Sequence, residues 1–284
     1  MSVERSEDLE LAMSAARAAG DAVMRRFGEA HEVTYKEPDQ PLTAADLEAD
    51  EVLRARLLGA RPEYGWLSEE TKDAPDRLRR HRVWIVDPLD GTRSYIAGRP
   101  EFAVSIGLAE AGRAVLGVVY NPATGELFWG ERGAGAWLEA PARPEAVRLH
   151  VTTQSTEDQA VLLASRSEIA AGEFDPFRGG WVLRPTGSTA YKLARLAAGA
   201  GDVFLSRGPK SEWDVCAGGL LVEEAGGRAT DLTGGDLGYN RPDPHVDGIL
   251  ATNGRLHAYL LGVVAMLPPL RRRRPAARPG EESG

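Results

Sequence analysis

The sequence predicts a layered fold of the mixed α/β class, and three observations predict it. Helix-spaced apolar residues open the chain. A buried-strand run at 83–86 is followed by four short strands with turn residues between them, the pattern of an antiparallel meander. Beyond residue 160, strands alternate with helices, which implies a sheet covered by helices. With 284 residues, 43% of them hydrophobic, the chain can build one large domain or two fused halves.

In order, residues 7–27 read as a helix: Leu9, Met13, Ala16, Val23 and Phe27 recur at roughly helical spacing and Gly28 ends it. Residues 31–41 are polar, hold two prolines and read as a loop. Residues 43–58 form a second helix with Leu47, Leu53, Leu57 and Leu58 on or near one face. A short strand at 64–67 ends at Glu69-Glu70, and a charged connection spans 71–82. Val83-Trp84-Ile85-Val86 is a strand that runs into Asp87-Pro88-Leu89-Asp90-Gly91-Thr92, where Pro88 and Gly91 predict a tight turn and a short helix start. The meander strands are 102–109, 113–120, 125–130 and 135–138. Gly130, Gly133 and Gly135 do not complete a Gly-x-Gly-x-x-Gly and link strands, which rejects a dinucleotide-binding loop.

Pro141 and Pro144 mark a boundary, so an N-terminal half (1–140) with an antiparallel sheet is expected beside a C-terminal half (141–267) with a mixed one. The latter reads as strands at 160–164 and 181–184, a helix at 188–198, a strand at 202–205, a helix at 213–225, strands near 228–231 and 248–251, and a last helix over 255–267. The tail 268–284 is rich in Arg and Pro with a net charge of +3, and disorder is expected there.

Composition narrows the function. A net charge of −8 argues against a nucleic-acid binder. The single Cys216 excludes an internal disulfide and a cysteine-based metal site, and a reducing cytoplasm is the expected compartment. Residues 1–10 carry no signal-peptide pattern, and no apolar run approaches the roughly 18 residues of a membrane span. The five histidines, 31, 81, 150, 245 and 257, have no ligand spacing.

The chemistry points to Asp87 and Asp90. Two acids at the end of a buried strand repel one another unless a cation lies between them, and a divalent ion held by oxygen ligands answers that need. The Gly91-Thr92 helix start suits a phosphate. The same stretch can be a plain turn whose aspartates cap backbone N–H groups, so companion carboxylates decide; Glu69-Glu70 and Asp214 stand out. Phosphate-ester hydrolysis needs a nucleophile at neutral pH, charge neutralisation and help for the leaving alkoxide, all of which metal ions supply. Glu69, Asp87, Asp90 and Asp214 offer hard oxygen donors for Mg²⁺.

Trp84-Ile85-Val86-Asp87-Pro88-Leu89-Asp90-Gly91-Thr92 resembles the first signature of the inositol monophosphatase superfamily. Trp213-Asp214-Val215-Cys216-Ala217-Gly218-Gly219 with Glu224-Ala225-Gly226-Gly227 resembles its second, and Glu69-Glu70 matches its paired glutamates. The resemblance covers roughly residues 6–266. It implies a fructose-1,6-bisphosphatase-like αβαβα sandwich with the site between the two halves, and two or three Mg²⁺ ions per site. Glu69, Asp87 and the Leu89 carbonyl would hold one ion, and Asp87, Asp90 and Asp214 a second, with a third, weaker ion near Glu69. Glu69, Asp46 and Thr92 would form the catalytic set, Thr92 bonding to Asp46 and helping to activate the attacking water. The N–H groups of Gly91 and Thr92 would hold phosphate oxygens, with Asp90 and Asp214 also facing substrate. Inhibition by lithium and a monomeric or homodimeric state are implied as well.

Several residues keep a plainer reading. Thr43-x-x-Asp46 is a capping box, compatible with the Asp46–Thr92 pair. Asp214 near a helix start favourably meets the helix dipole. Glu70 reads as a solvated acid and Cys216 as a packing thiol. Gly187-Ser188 opens a helix and reads equally as a substrate contact or a cap. Leu67-Ser68-Glu69-Glu70, Ala164-Ser165-Arg166-Ser167, Ser211-Glu212-Trp213-Asp214 and Tyr239-Asn240-Arg241-Pro242-Asp243-Pro244 look closest to the 3'(2'),5'-bisphosphate nucleotidases of the bacterial CysQ type. The expected substrate is therefore a small-molecule phosphate ester, adenosine 3',5'-bisphosphate cut at its 3'-phosphate. Inositol-1-monophosphatase or a broad sugar phosphatase is the rival. A non-enzyme phosphate-ligand binder is disfavoured by the complete set of ligand candidates. Charge alone nominates Arg166 or Lys210 for a second phosphate.

Overall fold

In the computed structural model, which describes residues 6–29, 33–37 and 40–270, the first helix begins where Ser6 turns extended and its Oγ accepts the Leu9 N–H at 3.1 Å. Helix α1 (Glu7–Met24) buries Leu9, Ala12, Met13, Ala16, Ala19 and Val23, mostly small residues that let it lie close to its neighbours. The stretch expected to be a loop instead holds a hairpin, β1 (Thr34–Glu37) with β2 (Gln40–Leu42), in which Thr34 pairs with Leu42 and Tyr35 with Pro41. Polar composition concealed it, although Thr34 and Tyr35 are good strand formers. Helix α2 (Ala44–Ala60) follows, opened by the Thr43/Asp46 capping box.

Next come β3 (Gly65–Ser68), β4 (Arg82–Asp90), the short α3 (Thr92–Ile96), β5 (Ala103–Glu110), β6 (Arg113–Asn121), β7 (Glu126–Glu131), β8 (Gly135–Glu139) and a two-residue β9 (Val147–Arg148). They form one seven-stranded sheet in sequence order. The pairing is antiparallel from β4 onward, whereas β3 runs parallel to β4.

The rest of the chain contributes β10 (Val161–Ala164), α4 (Arg166–Ala170), β11 (Val182–Pro185), α5 (Thr189–Ala197), β12 (Val203–Ser206), β13 (Lys210–Ser211), α6 (Glu212–Glu224), β14 (Arg228–Thr230), β15 (His245–Val246), β16 (Ile249–Thr252) and α7 (His257–Met266). A mixed five-stranded sheet runs β11-β10-β12-β16-β14. Helix α4 and strand β9 were not foreseen; both are too short to show a period.

The period of two along the strands sets the layers. Trp84 and Val86 point to α1 and α2, with Ile106, Val118 and Trp129 beside them. Val83 and Ile85 point the other way, onto Leu193 and Leu196 of α5 and Leu220 and Leu221 of α6. The same central layer receives Leu163, Phe204 and Ile249 from the second sheet. That sheet's far face, with Leu162, Val203, Leu205 and Leu250, is covered by Leu256, Leu260 and Val264 at and within α7. The result is the αβαβα sandwich, with α5 and α6 shared between both sheets. Among the described residues no helix is long and apolar enough to cross a membrane. Residues 271–284, most of the tail expected to be disordered, lie outside the described residues, as does His31.

One polar cluster ties the layers together, and it starts within the charged connection after β3. Arg77, 1% exposed in the 3₁₀ turn Pro75–Arg79, grips Asp73 with two bonds (2.6 and 2.8 Å). It also donates to Asn240 Oδ1 (2.8 Å) and to the Arg241 carbonyl (3.0 Å). The backbone N–H groups of Asn240 and Arg241 donate in turn to the buried Glu212 carboxylate (2.6 and 3.0 Å), the first residue of α6. The connection after β3 is thereby locked to the start of α6, two residues before Asp214.

Candidate active site

The site starts from an irregularity at the end of β4. Asp87 pairs with Ser105 and Asp90 with Ala103, so β4 carries one residue more than β5 across this interval. Pro88, which has no N–H to give a ladder, falls in the bulge. The tight turn expected after Asp87 is therefore a bulged continuation of the strand; the true turn comes at Gly91. Gly91 has φ +102°, and a Cβ there would lie 2.9 Å from the Glu101 carbonyl and 3.1 Å from Ser188 Cβ, so only glycine fits. The Leu89 N–H donates to Asp87 Oδ1 at 3.0 Å.

Three carboxylates converge here. Glu69 follows β3 and its N–H bonds to the Val86 carbonyl (3.2 Å). Asp87 comes from β4, and Asp214 from the first turn of α6, where its Oδ2 accepts the Ser211 N–H (2.8 Å). One oxygen of each lies within 4.8 Å of the others. Asp50 steadies this corner from α2: Ser68 Oγ and Thr71 Oγ1, flanking Glu69 and Glu70, donate to it at 2.5 and 2.6 Å.

Asp90 lies outside that trio. Its Oδ2 accepts the Ser188 hydroxyl (2.6 Å) and the Ala190 N–H (2.5 Å), capping α5. Ser188 Oγ accepts the Tyr191 N–H at 3.0 Å, and Ser188 holds φ +60°, an uncommon conformation for serine. Gly187 N–H donates to Glu101 Oε2 at 2.8 Å, and a Cβ there would fall 2.1 Å from Ser94 Oγ. Both residues line the cavity, but their polar contacts go to Glu101 and Asp90, as helix entry requires.

Thr92 Oγ1 lies 3.0 Å from Asp46 Oδ1 and 3.1 Å from the Leu89 carbonyl. Asp46 Oδ2 accepts both the Thr43 N–H (2.7 Å) and the Thr43 hydroxyl (2.6 Å). The capping box and the Asp46–Thr92 pair coexist on the two oxygens of one carboxylate.

The crowding of acids is electrostatically costly. Burial first, then Glu69, Asp90 and Asp214, push Asp87 well above the usual carboxylate range. Burial and Asp90 raise Asp214 to about 7, and burial and Glu69 raise Glu70 to about 7. Burial also raises Asp90 and Asp46, against the hydrogen bonds they accept. Cys216 is fully buried in the core, where burial lifts its thiol well above its ordinary value, in keeping with packing.

Two lysines matter that the motifs did not reveal. Lys36, from the unforeseen hairpin, sets Nζ 2.6 Å from Glu69 Oε1 and 2.9 and 3.0 Å from the two Glu70 oxygens. Burial alone would lower this ammonium, but the two glutamates hold it above its ordinary range. Glu70 is thus a buried partner rather than a solvated acid. Lys192 on α5 is 3% exposed, and burial lowers it to about 8. Arg166, nominated for a second phosphate, is instead held by both oxygens of Glu101, one at 2.8 Å. Lys210 stands 3.8 Å from Glu168. Glu69, Arg166, Glu168, Lys192 and Lys210 border one cavity of about 680 Å³ together with Asp87, Asp90 and Asp214, within the size range of small-molecule sites.

The donor set suits a hard divalent cation. Three convergent carboxylates, of which burial and neighbouring acids raise Asp87 and Asp214, with no His or Cys among them, are what such an ion neutralises.

Comparison with known proteins agrees with this chemistry. The model of the inositol monophosphatase family matches residues 4–266. An inositol-1-monophosphatase of Rhizobium meliloti is 38% identical over 81% of this chain and 88% of its own length. The 3'(2'),5'-bisphosphate nucleotidase CysQ of Salmonella typhimurium is 34% identical over 81% of this chain and 93% of its own. The crystal structure of the extragenic suppressor protein suhB from Bartonella henselae superposes with a TM-score of 0.79 at 32% identity, covering 92% of this chain and 99% of that one.

Proposed function

The chain belongs to the inositol monophosphatase family of phosphatases, and from that premise we propose that it is a Mg²⁺-dependent phosphomonoesterase that cleaves a small phosphate ester by attack of water. The observation that carries the reading is the convergence of Glu69, Asp87 and Asp214 on one point beside the Gly91-Thr92 helix start. Glu69, Asp87 and the Leu89 carbonyl would hold one ion. Asp87, Asp214 and the Oδ1 oxygen of Asp90, whose Oδ2 is spent on α5, would hold a second. The ions supply a lowered pKa for bound water and neutralise phosphoryl charge.

The chain's own residues do the rest. With the Leu89 carbonyl, the other acceptor in reach, given to an ion, Thr92 would donate its single hydroxyl hydrogen to Asp46, leaving Thr92 Oγ1 to accept a hydrogen from the attacking water and so to orient it. The first N–H groups of α3 have no acceptor within the helix and would be open to phosphoryl oxygens. Asp46 is fixed by Thr43, so the pair is positioned before substrate arrives.

On the substrate, two readings have separate support. The inositol-1-monophosphatase relative supports inositol 1-phosphate. Lys192 and Lys210, two cations that border the same cavity as the carboxylates, favour a bisphosphate such as adenosine 3',5'-bisphosphate, and this is the reading we adopt. The test is phosphate release from adenosine 3',5'-bisphosphate, inositol 1-phosphate and fructose 1,6-bisphosphate, each with Mg²⁺ and with EDTA. A hundredfold preference in kcat/KM for the nucleotide, roughly 2.7 kcal/mol of transition-state discrimination, supports the adopted reading. Preference for inositol 1-phosphate would replace the substrate alone, and release that EDTA leaves untouched would refute the mechanism.

A further inference from the structure

We infer that Glu101 is a positioning residue for the reaction: clamped by Arg166, it holds the Gly187-Ser188 corner and, through that corner, the Asp90 carboxylate. Its consequence for ion binding rests on the phosphatase reading above; its geometry rests on hydrogen bonds alone.

The corner has to be held. Ser188 stands at φ +60° and ψ 130°, a conformation that residues other than glycine rarely adopt and that persists only where the surroundings over-determine it. On one side the Gly187 N–H donates to Glu101 Oε2 at 2.8 Å. On the other the Ser188 hydroxyl donates to Asp90 Oδ2 at 2.6 Å and accepts the Tyr191 N–H at 3.0 Å. Packing closes the same side, because a Cβ on Gly187 would lie 2.7 Å from the Glu101 carbonyl oxygen and 3.1 Å from the Glu101 Cβ.

Glu101 can hold the corner because it is itself fixed. The Arg166 guanidinium bonds both of its oxygens, Nη2 to Oε1 at 2.8 Å and Nη1 to Oε2, a two-point grip that sets the plane of the carboxylate. Arg166 Nη2 also reaches the Pro185 carbonyl, two residues before Gly187, at 3.4 Å. Burial alone would raise the Glu101 carboxyl, but Arg166 and the Gly187 N–H hold it below its ordinary range, so it is an ionised acceptor at neutral pH. The pair is 22% and 37% exposed, so its attraction is screened and adds little to the stability of the whole fold. Its effect is local. At the far end of this chain of bonds, Asp90 Oδ2 takes both the Ser188 hydroxyl and the Ala190 N–H (2.5 Å), which aims Oδ1 alone at an ion.

The simpler alternative is an ion pair that only adds stability. Three variants of the full chain separate the two: Glu101→Leu, Glu101→Gln, which keeps an oxygen for the Gly187 N–H, and Ser188→Gly. The first readout is amide hydrogen exchange in EDTA. Positioning predicts that Glu101→Leu speeds exchange of the Ala190 N–H at least tenfold relative to the amides of α1, and that Glu101→Gln returns it to within about threefold of the wild type. Equal acceleration of Ala190 and α1, or none at Ala190, would overturn the role. Should Glu101→Leu fail to fold, Arg166→Met, which unclamps Glu101, is expected to give the same selective acceleration, and an even one would overturn it. The second readout is Mn²⁺ binding by calorimetry. Glu101→Leu should weaken it at least tenfold in the wild-type chain and at most threefold further in Ser188→Gly, since the effect passes through the corner; binding that Glu101→Leu leaves unchanged would overturn the proposal. The exchange readout needs no ion, so it decides the role of Glu101 even if the wild-type chain binds no manganese and the phosphatase reading fails.

Discussion

Raising the pH from 6 to 8 in EDTA should destabilise this protein by between about 1 and 2 kcal/mol, opposite to the common tendency of stability to rise as carboxylates ionise. Asp214 and Glu70 take up a proton near pH 7 in the fold, against 3.8 and 4.5 as ordinary side chains. A carboxyl raised in this way stabilises the fold below its folded pKa, and that contribution is lost as the pH rises through it. At pH 6 each is about nine-tenths protonated when folded and ionised when unfolded, worth roughly 1 to 1.5 kcal/mol; by pH 8 almost nothing remains. Asp87 acts in the same direction.

Two groups oppose the loss. His257, buried between the hydroxyls of Thr230 and Thr252, is lowered to about 4 from 6.5, so its cost of staying neutral fades by pH 8. Lys192, lowered to about 8 from 10.5, begins to recover its penalty only at the top of the range. Together they return roughly 1 kcal/mol. The net loss corresponds to about 2–4 °C in Tm for a chain of this size, readable by thermal unfolding in buffers matched for ionic strength. Saturating Mg²⁺ should flatten or reverse the trend, because the ion binds the ionised carboxylates. Stability that is level or rising from pH 6 to 8 in EDTA would refute the crowding of these acids, and an identical fall with Mg²⁺ would refute their role as ligands.

Two substitutions probe the site and its support. Thr92→Val should lower kcat by about 10²–10⁴ while leaving half-saturation by Mg²⁺ within a few fold; steady-state kinetics across Mg²⁺ concentrations checks it, and a loss under tenfold would count against water orientation by Thr92. Arg77→Ala should cost about 3 kcal/mol in denaturant unfolding, because Asn240 Oδ1 and the Arg241 carbonyl lose their donor in a buried setting. Asp73→Ala should cost only about 1 kcal/mol, since Asp73 is 39% exposed and its pairing is screened; equal losses would contradict the role of Arg77 as a tie between layers.

What was legible in the chain follows from which forces are local. Val83 to Val86 could be read as a buried strand because both of its faces are covered, so every position is apolar. The carboxylates could be read because Asp87, Asp90 and Gly91 sit on one short stretch with its own signature. The bulge could not, since Asp-Pro-x-Asp-Gly looks the same whether the strand stops at Asp87 or continues to Asp90; pairing with Ala103, a partner on another strand, decides it. Lys36 and its hairpin depend on Glu69 and Glu70, more than thirty residues away, and Arg77 on Asn240, 163 residues away. Lys192 occupies a position on α5 between Tyr191 and Leu193 that any amphipathic reading would assign to solvent, and only the wall contributed by Glu168 and Phe204 encloses it. Long-range polar partners leave no period in a sequence.

The most direct test of the central claim is an anomalous-scattering map from crystals of the full chain grown with Mn²⁺ in place of Mg²⁺. The account predicts a peak bound by Glu69, Asp87 and the Leu89 carbonyl, a second bound by Asp87, Asp90 and Asp214, and Lys36 withdrawn from Glu69. Manganese absent from these carboxylates at saturating concentration, or bound only elsewhere, would contradict it.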